Sequence, residues 1–262
     1  MNKGQKYTTQ LQAGLGIVPE TLKLLAVWEP SMTGNDLVKA ALATGDFPGM
    51  TARRLRNLIL EAFRPRYLVD GATPARLLKA VSGTIPREDF RSLCFLFTCR
   101  ANMVLADFVR HVYWPTYSSG GSTISKVDSL RFVSSAVSDG RTTSRWSEST
   151  VIRVARYLLG ACADFGLLGP MRGGARPLST FRITSNVVSV LAHDLHFRGI
   201  GDNALLRNPD WTLFGLEPED ALGELKRLSL RGEIIVQSAG GITQVSWKHK
   251  SIEELADVLS QG

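Results

Sequence analysis

The sequence predicts a mainly α-helical, globular protein with two helix-turn-helix, winged-helix-like units and one or two short β-hairpins. Three observations lead there. Residues 141–184, RTTSRWSESTVIRVARYLLGACADFGLLGPMRGGARPLSTFRIT, run from a Ser-rich turn into a long amphipathic helix with a basic stripe. They continue through an Arg/Gly loop into an alternating strand, the order of a helix-turn-helix followed by a basic wing. Residues 33–66 repeat the theme of helix, breaker-rich turn and basic helix. Finally, EIIVQSAGGITQVSWK has two alternating halves around Ala239-Gly240-Gly241, as a hairpin requires.

The elements follow in order. Pro19 and Pro30 bracket a short helix with Leu22, Leu25 and Ala26 on one side. Thr33 with Asp36 three residues on starts a second helix, whose face of Leu37, Val38, Ala41 and Leu42 ends at Gly45. The turn GDFPGM delivers Thr51 as the N-cap of a helix over 52–63. Its expected inner face is Ala52, Leu55, Leu58, Ile59, Ala62 and Phe63, with Arg53, Arg56, Asn57 and Glu61 outside and Arg54 to one side.

Helices are also expected over 73–79 and 87–113, the latter apolar and broken near Asn102. TYSSGGSTIS is the most linker-like segment, so a boundary near 118–124 is expected between an N-terminal region (1–120) and a C-terminal one (121–262). The second helix-turn-helix-like unit then covers 126–184, with its first helix over 126–138. On its helix 148–165, Val151, Ile152, Ala155, Leu158, Leu159 and Cys162 are expected to face a core. Another helix falls within 184–206, and a helix, hairpin and helix close the chain over 218–259.

Composition narrows the class. Hydrophobic residues make up 44% and charged ones 21% of 262 residues, and the net charge is +7. Such values suit a globular protein with a polyanionic partner. The charge is concentrated: seven Arg against Glu148 and Asp164 give 141–184 a net +5, and five Arg against Glu61 give 51–66 a net +4. Cys94, Cys99 and Cys162 lie in apolar runs, which favours a core role and a reducing compartment. The opening residues lack a signal peptide's apolar core, and no uncharged apolar run reaches membrane-spanning length. A cytoplasmic protein is therefore expected.

Planar guanidinium groups suit phosphates and guanine edges alike. The candidate contacts are Arg53, Arg54, Arg56 and Asn57 in the first unit. Those in the second are Arg145, Ser149, Arg153 and Arg156, with Arg172 and Arg176 at a wing whose tip is Gly173-Gly174. One basic helix alone is an ordinary solvated face; two, each after a breaker-rich turn, favour nucleic acid. The 217–233 stretch has a net −2, which points to packing or a partner protein.

Several constellations do not hold up. His193, Asp194 and His196 contain metal-ligand types but no HExxH or CxxC accompanies them, so a packed or capped helix end is the better reading. Asn208-Pro209-Asp210-Trp211 resembles the N-P-P-aromatic loop of adenine methyltransferases but lacks the second Pro and an upstream cofactor loop. There is no GxGxxG, GxxxxGK[ST] or GxSxG segment. No enzyme activity, cofactor or metal is expected.

Five stretches resemble the BrxA family of bacteriophage exclusion (BREX) defence systems. They are YTTQLQAGLGIVPETLKLL (7–25), FLFTCRANMVLADFVRHVYWP (95–115), DGRTTSRWSEST (139–150), AHDLHFRGIGDNALL (192–206) and LKRLSLRGEIIVQSAGG (225–241). The resemblance implies a mainly helical core component of a multi-gene antiphage system, encoded beside a DNA methyltransferase and ATP-driven partners. It also implies helix-turn-helix units, binding of double-stranded DNA and no known catalytic centre. The combined expectation is duplex DNA binding through Arg-phosphate contacts with low sequence specificity, by a monomer that also meets other BREX components. The alternative is a non-catalytic scaffold for other defence proteins, built on the mixed-charge C-terminal helix and hairpin.

Overall fold

The computed structural model describes residues 6–261. Twelve helices and two antiparallel two-stranded sheets make the chain mainly α, as predicted. It divides into two compact units. Unit 1 holds the residues up to Ala75 and Cys94–Phe181, and unit 2 holds Arg76–Leu93 and the residues from Arg182 onward. The 118–124 loop, expected as a domain boundary, lies inside unit 1.

In unit 1, helix α1 (Val18–Val27) opens with Pro19 in its first turn. Helix α2 (Gly34–Thr44) starts on the Thr33/Asp36 capping box and stops at Gly45, whose φ of 71° places it in the left-handed region. Helix α3 runs over 52–67, four residues past its predicted end. It begins on Thr51, whose hydroxyl accepts from the Arg54 amide, and contains a π turn over Leu58–Phe63. Helix α6 (103–118) has a second π turn over Val109–Tyr113. Both π turns lie just ahead of a proline, Pro65 and Pro115. Proline offers no amide and its ring meets the carbonyl one turn back, so widening that turn lets the helix continue.

Helices α4 (Thr73–Val81) and α5 (Arg87–Ala101) contain the boundaries between the units. Asn102, with φ −132° and ψ 85°, ends the helical run at the predicted break before α6. Among the described residues, no single helix is long and apolar enough to cross a membrane.

Strand β1 (Thr123–Ser125) leads into helix α7 (Lys126–Ser138), capped by the Ser125/Asp128 box. Helix α8 (Glu148–Asp164) follows and packs on α7; the Ser147 hydroxyl caps it by accepting from the Thr150 amide. The chain then turns back through Leu168–Leu178, where strand β2 (Ala175–Pro177) pairs antiparallel with β1. The linker-like composition at 118–124 serves a helix stop. The Gly121 amide donates to the Thr116 carbonyl at 2.9 Å, and a Cβ there would sit 2.9 Å from that same oxygen.

The core of unit 1 is aromatic. Tyr67 makes edge-to-face contacts with Phe63 and Phe97, and Phe95 meets Phe165 and Phe181. Cys94, Cys99 and Cys162 are buried and free, as their apolar contexts predict. The 10–17 segment packs on both α3 and α8. The Gly16 amide donates to the Asp164 carboxylate at 3.0 Å, and Arg66 Nη2 donates to the Gly14 carbonyl at 3.3 Å.

Unit 2 contains α9 (Ser185–Phe197), α10 (Asp202–Leu206), α11 (Pro218–Leu230), the β3 (Ile234–Ala239) and β4 (Ile242–Trp247) hairpin, and α12 (Ile252–Gln261). The hairpin turns on Gly240 and Gly241, both at positive φ, as a tight two-residue turn demands. Side chains occupy its edges. Asn203 and Asp202 accept from the Thr243 and Val245 amides, and the Ser229 hydroxyl accepts from the Val236 amide. Such capping removes the free donors that make an edge strand prone to further pairing. Asn208 accepts from the Asp210 amide, and the buried Trp211 indole donates to the Leu205 carbonyl; both give the NPDW turn a packing role.

Candidate nucleic-acid interface

The basic residues of unit 1 sort into two groups by what they touch. Three are committed to the fold. Arg66 is 2% exposed, and its guanidinium meets Gly14 and the buried ring of Tyr67, so it belongs to the interior and not to the basic surface counted from the sequence. Arg141 lies over the Tyr7 ring at 5.0 Å and the Phe132 ring at 5.8 Å, with the Asp107 carboxylate 3.9 Å away. Arg176 is half-buried, and its Nη1 donates to the Gly169 carbonyl at 2.8 Å. That bond braces the β1–β2 corner from the wing side.

The second group, the other arginines expected to contact a duplex, is exposed and carries no ion pair among the described residues: Arg53, Arg54, Arg56, Arg145, Arg153, Arg156 and Arg172; Arg64, further along α3, shares this state. On α3, Arg53, Arg54, Arg56 and Asn57 all occupy the first two turns, which contain no acid. This is the end of a helix where the dipole disfavours cations. Their placement there costs a little helix stability. Ala52, expected inside, is exposed because it sits in that first turn before the helix reaches the core.

On α8 the buried face is Val154, Ala155, Leu158, Leu159, Ala161 and Cys162. Ser149, Arg153 and Arg156 face outward as predicted. Ile152 departs from prediction: it was expected in the core, yet it is 51% exposed and joins the outward stripe, while Val151 is only half-buried. The buried arc of α8 is turned so that Val154 lies inside it and Ile152 outside it. Little ties the stripe down. Arg153 Nη2 donates to the Thr150 hydroxyl at 3.4 Å, and Arg156 lies 5.5 Å from the Tyr157 ring centroid. Arg145 sits in the loop before the helix and Arg172 at the tip of the Leu168–Leu178 turn, beside Gly173 and Gly174 at positive φ.

His193 and His196 meet no metal-binding group, since no cluster of three candidate ligands occurs among the described residues. His193 is fully buried on α9; its Nδ1–H donates to the Ser189 carbonyl at 2.8 Å, and its ring packs edge-on against Trp247 at 4.9 Å. His196 stacks on the same indole at 4.4 Å. His249, just past β4, completes this group 5.5 Å from His193; the two residues are 56 apart in the chain, so no local pattern links them. Burial first, then the neighbouring His249 and His196, push His193 down to about 4.

A mainly α protein bearing unpaired arginines on two helix starts and a Gly-rich turn is the class defined by fold and surface. The family model of BrxA matches residues 5–194, and the chain belongs to that family. Membership places it in BREX phage defence. No curated protein and no solved structure matches it.

Proposed function

We propose that the chain binds double-stranded DNA, chiefly through arginine-phosphate contacts and with low sequence specificity. The observation that carries this reading is that seven of the candidate arginines are exposed without acidic partners, three of them at a helix start that disfavours positive charge. The connectivity of unit 1 supports it. Helix α6, strand β1, helices α7 and α8 and the Leu168–Leu178 turn follow the order of a winged helix, with α8 as the helix that enters the groove. Residues 33–66 supply a second helix-turn-helix-like unit of α2 and α3.

The protein acts by binding and not by chemistry, as a cytoplasmic monomer that works with other BREX components. Fluorescence-anisotropy titration of a labelled duplex of arbitrary sequence, from low to physiological salt, tests the reading. Saturable binding that weakens steeply with salt is expected; absence of binding at low salt refutes it.

A scaffold role has its own support in unit 2. Ile235 and Ile242, 61% and 69% exposed, share the outer face of an uncharged hairpin, and Leu230 at the end of α11 is 90% exposed. Pull-down of other defence proteins without any DNA affinity would favour it.

A further inference from the structure

We propose that Ile152 contacts the C5-methyl group of thymine in the major groove, giving the interface a preference for thymine-containing sites. The proposal rests on the DNA-binding reading above and concerns the same face of α8. Three observations carry it. Ile152 is exposed in the first half of the helix although six other residues of α8 supply its buried face. A branched apolar side chain left half in solvent gains only part of its packing there, and it is a poorer helix former than Ala or Arg.

Its neighbours on the surface are Ser149, Arg153 and Arg156. With Ile152 they form an i, i+3, i+4, i+7 set, which at 3.6 residues per turn spans an arc of roughly 100°. This is the spacing with which a recognition helix reaches base edges from the groove. Finally, the chemistry of the set is divided. Arg and Ser supply donors for phosphates and base edges, and Ile152 is its one apolar member. The major groove offers one common apolar feature, the thymine methyl.

The test compares two duplexes of identical arbitrary sequence, one with thymidine and one with every thymidine replaced by deoxyuridine. The exchange removes the methyl and keeps the pairing. Anisotropy titrations at one salt concentration use the full-length wild type and Ile152→Ala. Ile152 is largely solvated, so the variant is expected to melt with the wild type.

The wild type is expected to bind the deoxyuridine duplex about three- to fivefold more weakly, the worth of one methyl-sized contact removed from water. Ile152→Ala is expected to bind both duplexes equally, at the wild type's weaker affinity. Arg153→Ala is expected to lower affinity on both duplexes while keeping the ratio. Salt-dependent binding of both duplexes with equal affinity by the wild type overturns the role of Ile152 and leaves DNA binding standing. Discrimination that persists in Ile152→Ala assigns the methyl contact elsewhere and also overturns it. No binding of either duplex at low salt removes both this proposal and the reading beneath it.

Discussion

Gly16→Ala tests how tightly the N-terminal segment is seated on α8. A Cβ at position 16 would lie 2.4 Å from the Asp164 Cβ and 3.2 Å from its Oδ2, where the nearer atom is fixed to the helix backbone. The clash cannot be relieved by rotating a side chain, so the 10–17 segment or α8 must shift. The same movement stretches the 3.0 Å bond from the Gly16 amide to the Asp164 carboxylate. Overpacking of this kind costs roughly 1–3 kcal/mol, and loss of one hydrogen bond to a carboxylate adds about 1.5 kcal/mol. A destabilisation of about 2.5–4.5 kcal/mol is expected, measured as a lowered midpoint in urea denaturation followed by tryptophan fluorescence. A change below about 0.5 kcal/mol, the scale of an ordinary surface substitution, would refute the seating of residues 10–17 against α8.

Other outcomes follow from single features. Gly223→Ala, inside α11 with open space around the added methyl, is expected to stabilise unit 2 by about 0.5–1 kcal/mol in thermal melts. Burial holds His193 neutral in the folded chain, so the unfolded chain binds the extra proton between pH 6.5 and about 4. Stability should therefore fall as pH drops through that window, and a His193→Gln variant, which can still donate to Ser189, should show a flatter melting profile there. The Cys94 thiol, pushed up to about 12 by burial, and its equally buried partners Cys99 and Cys162 should resist a thiol reagent until the chain is unfolded.

Sequence reached the caps and stops well because they are local. Thr33, Thr51, Gly45 and the Gly240-Gly241 turn act within a few residues of themselves. The π turn over Leu58–Phe63 carries α3 past its predicted end at Phe63, because one widened turn accommodates Pro65 within the helix. Ile152 falls outside its expected face for a different reason. Periodicity ranks faces by average hydrophobicity, and it cannot see how the buried arc of α8 is turned toward Val154, nor that Gly14 offers a carbonyl to the buried Arg66 guanidinium. The His193, His196, Trp247 and His249 group depends on a contact between α9 and the end of β4, which no local pattern encodes.

Counting arginines from the sequence overstates the charge available to a polyanion, and the surplus can be measured. Arg66, Arg141 and Arg176 are held by a carbonyl, by rings and by Asp107, so they serve the fold first. Of the candidate contacts, Arg145, Arg153, Arg156 and Arg172 remain exposed and unpaired on and around α8, and Arg53, Arg54 and Arg56 on α3. Each phosphate neutralised on a duplex contributes about −0.9 to the slope of log affinity against log salt. The α8 patch alone therefore predicts a slope near −4, and both patches on one duplex a slope near −6. Replacing Arg153 and Arg156 together by Ala should reduce either slope by about 2. If α3 contributes nothing, replacing Arg53 and Arg56 will leave a slope near −4 untouched, and the helix must be explained as scaffold. A double replacement on each helix in turn thus separates one interface from two, which the net charge of the chain cannot do.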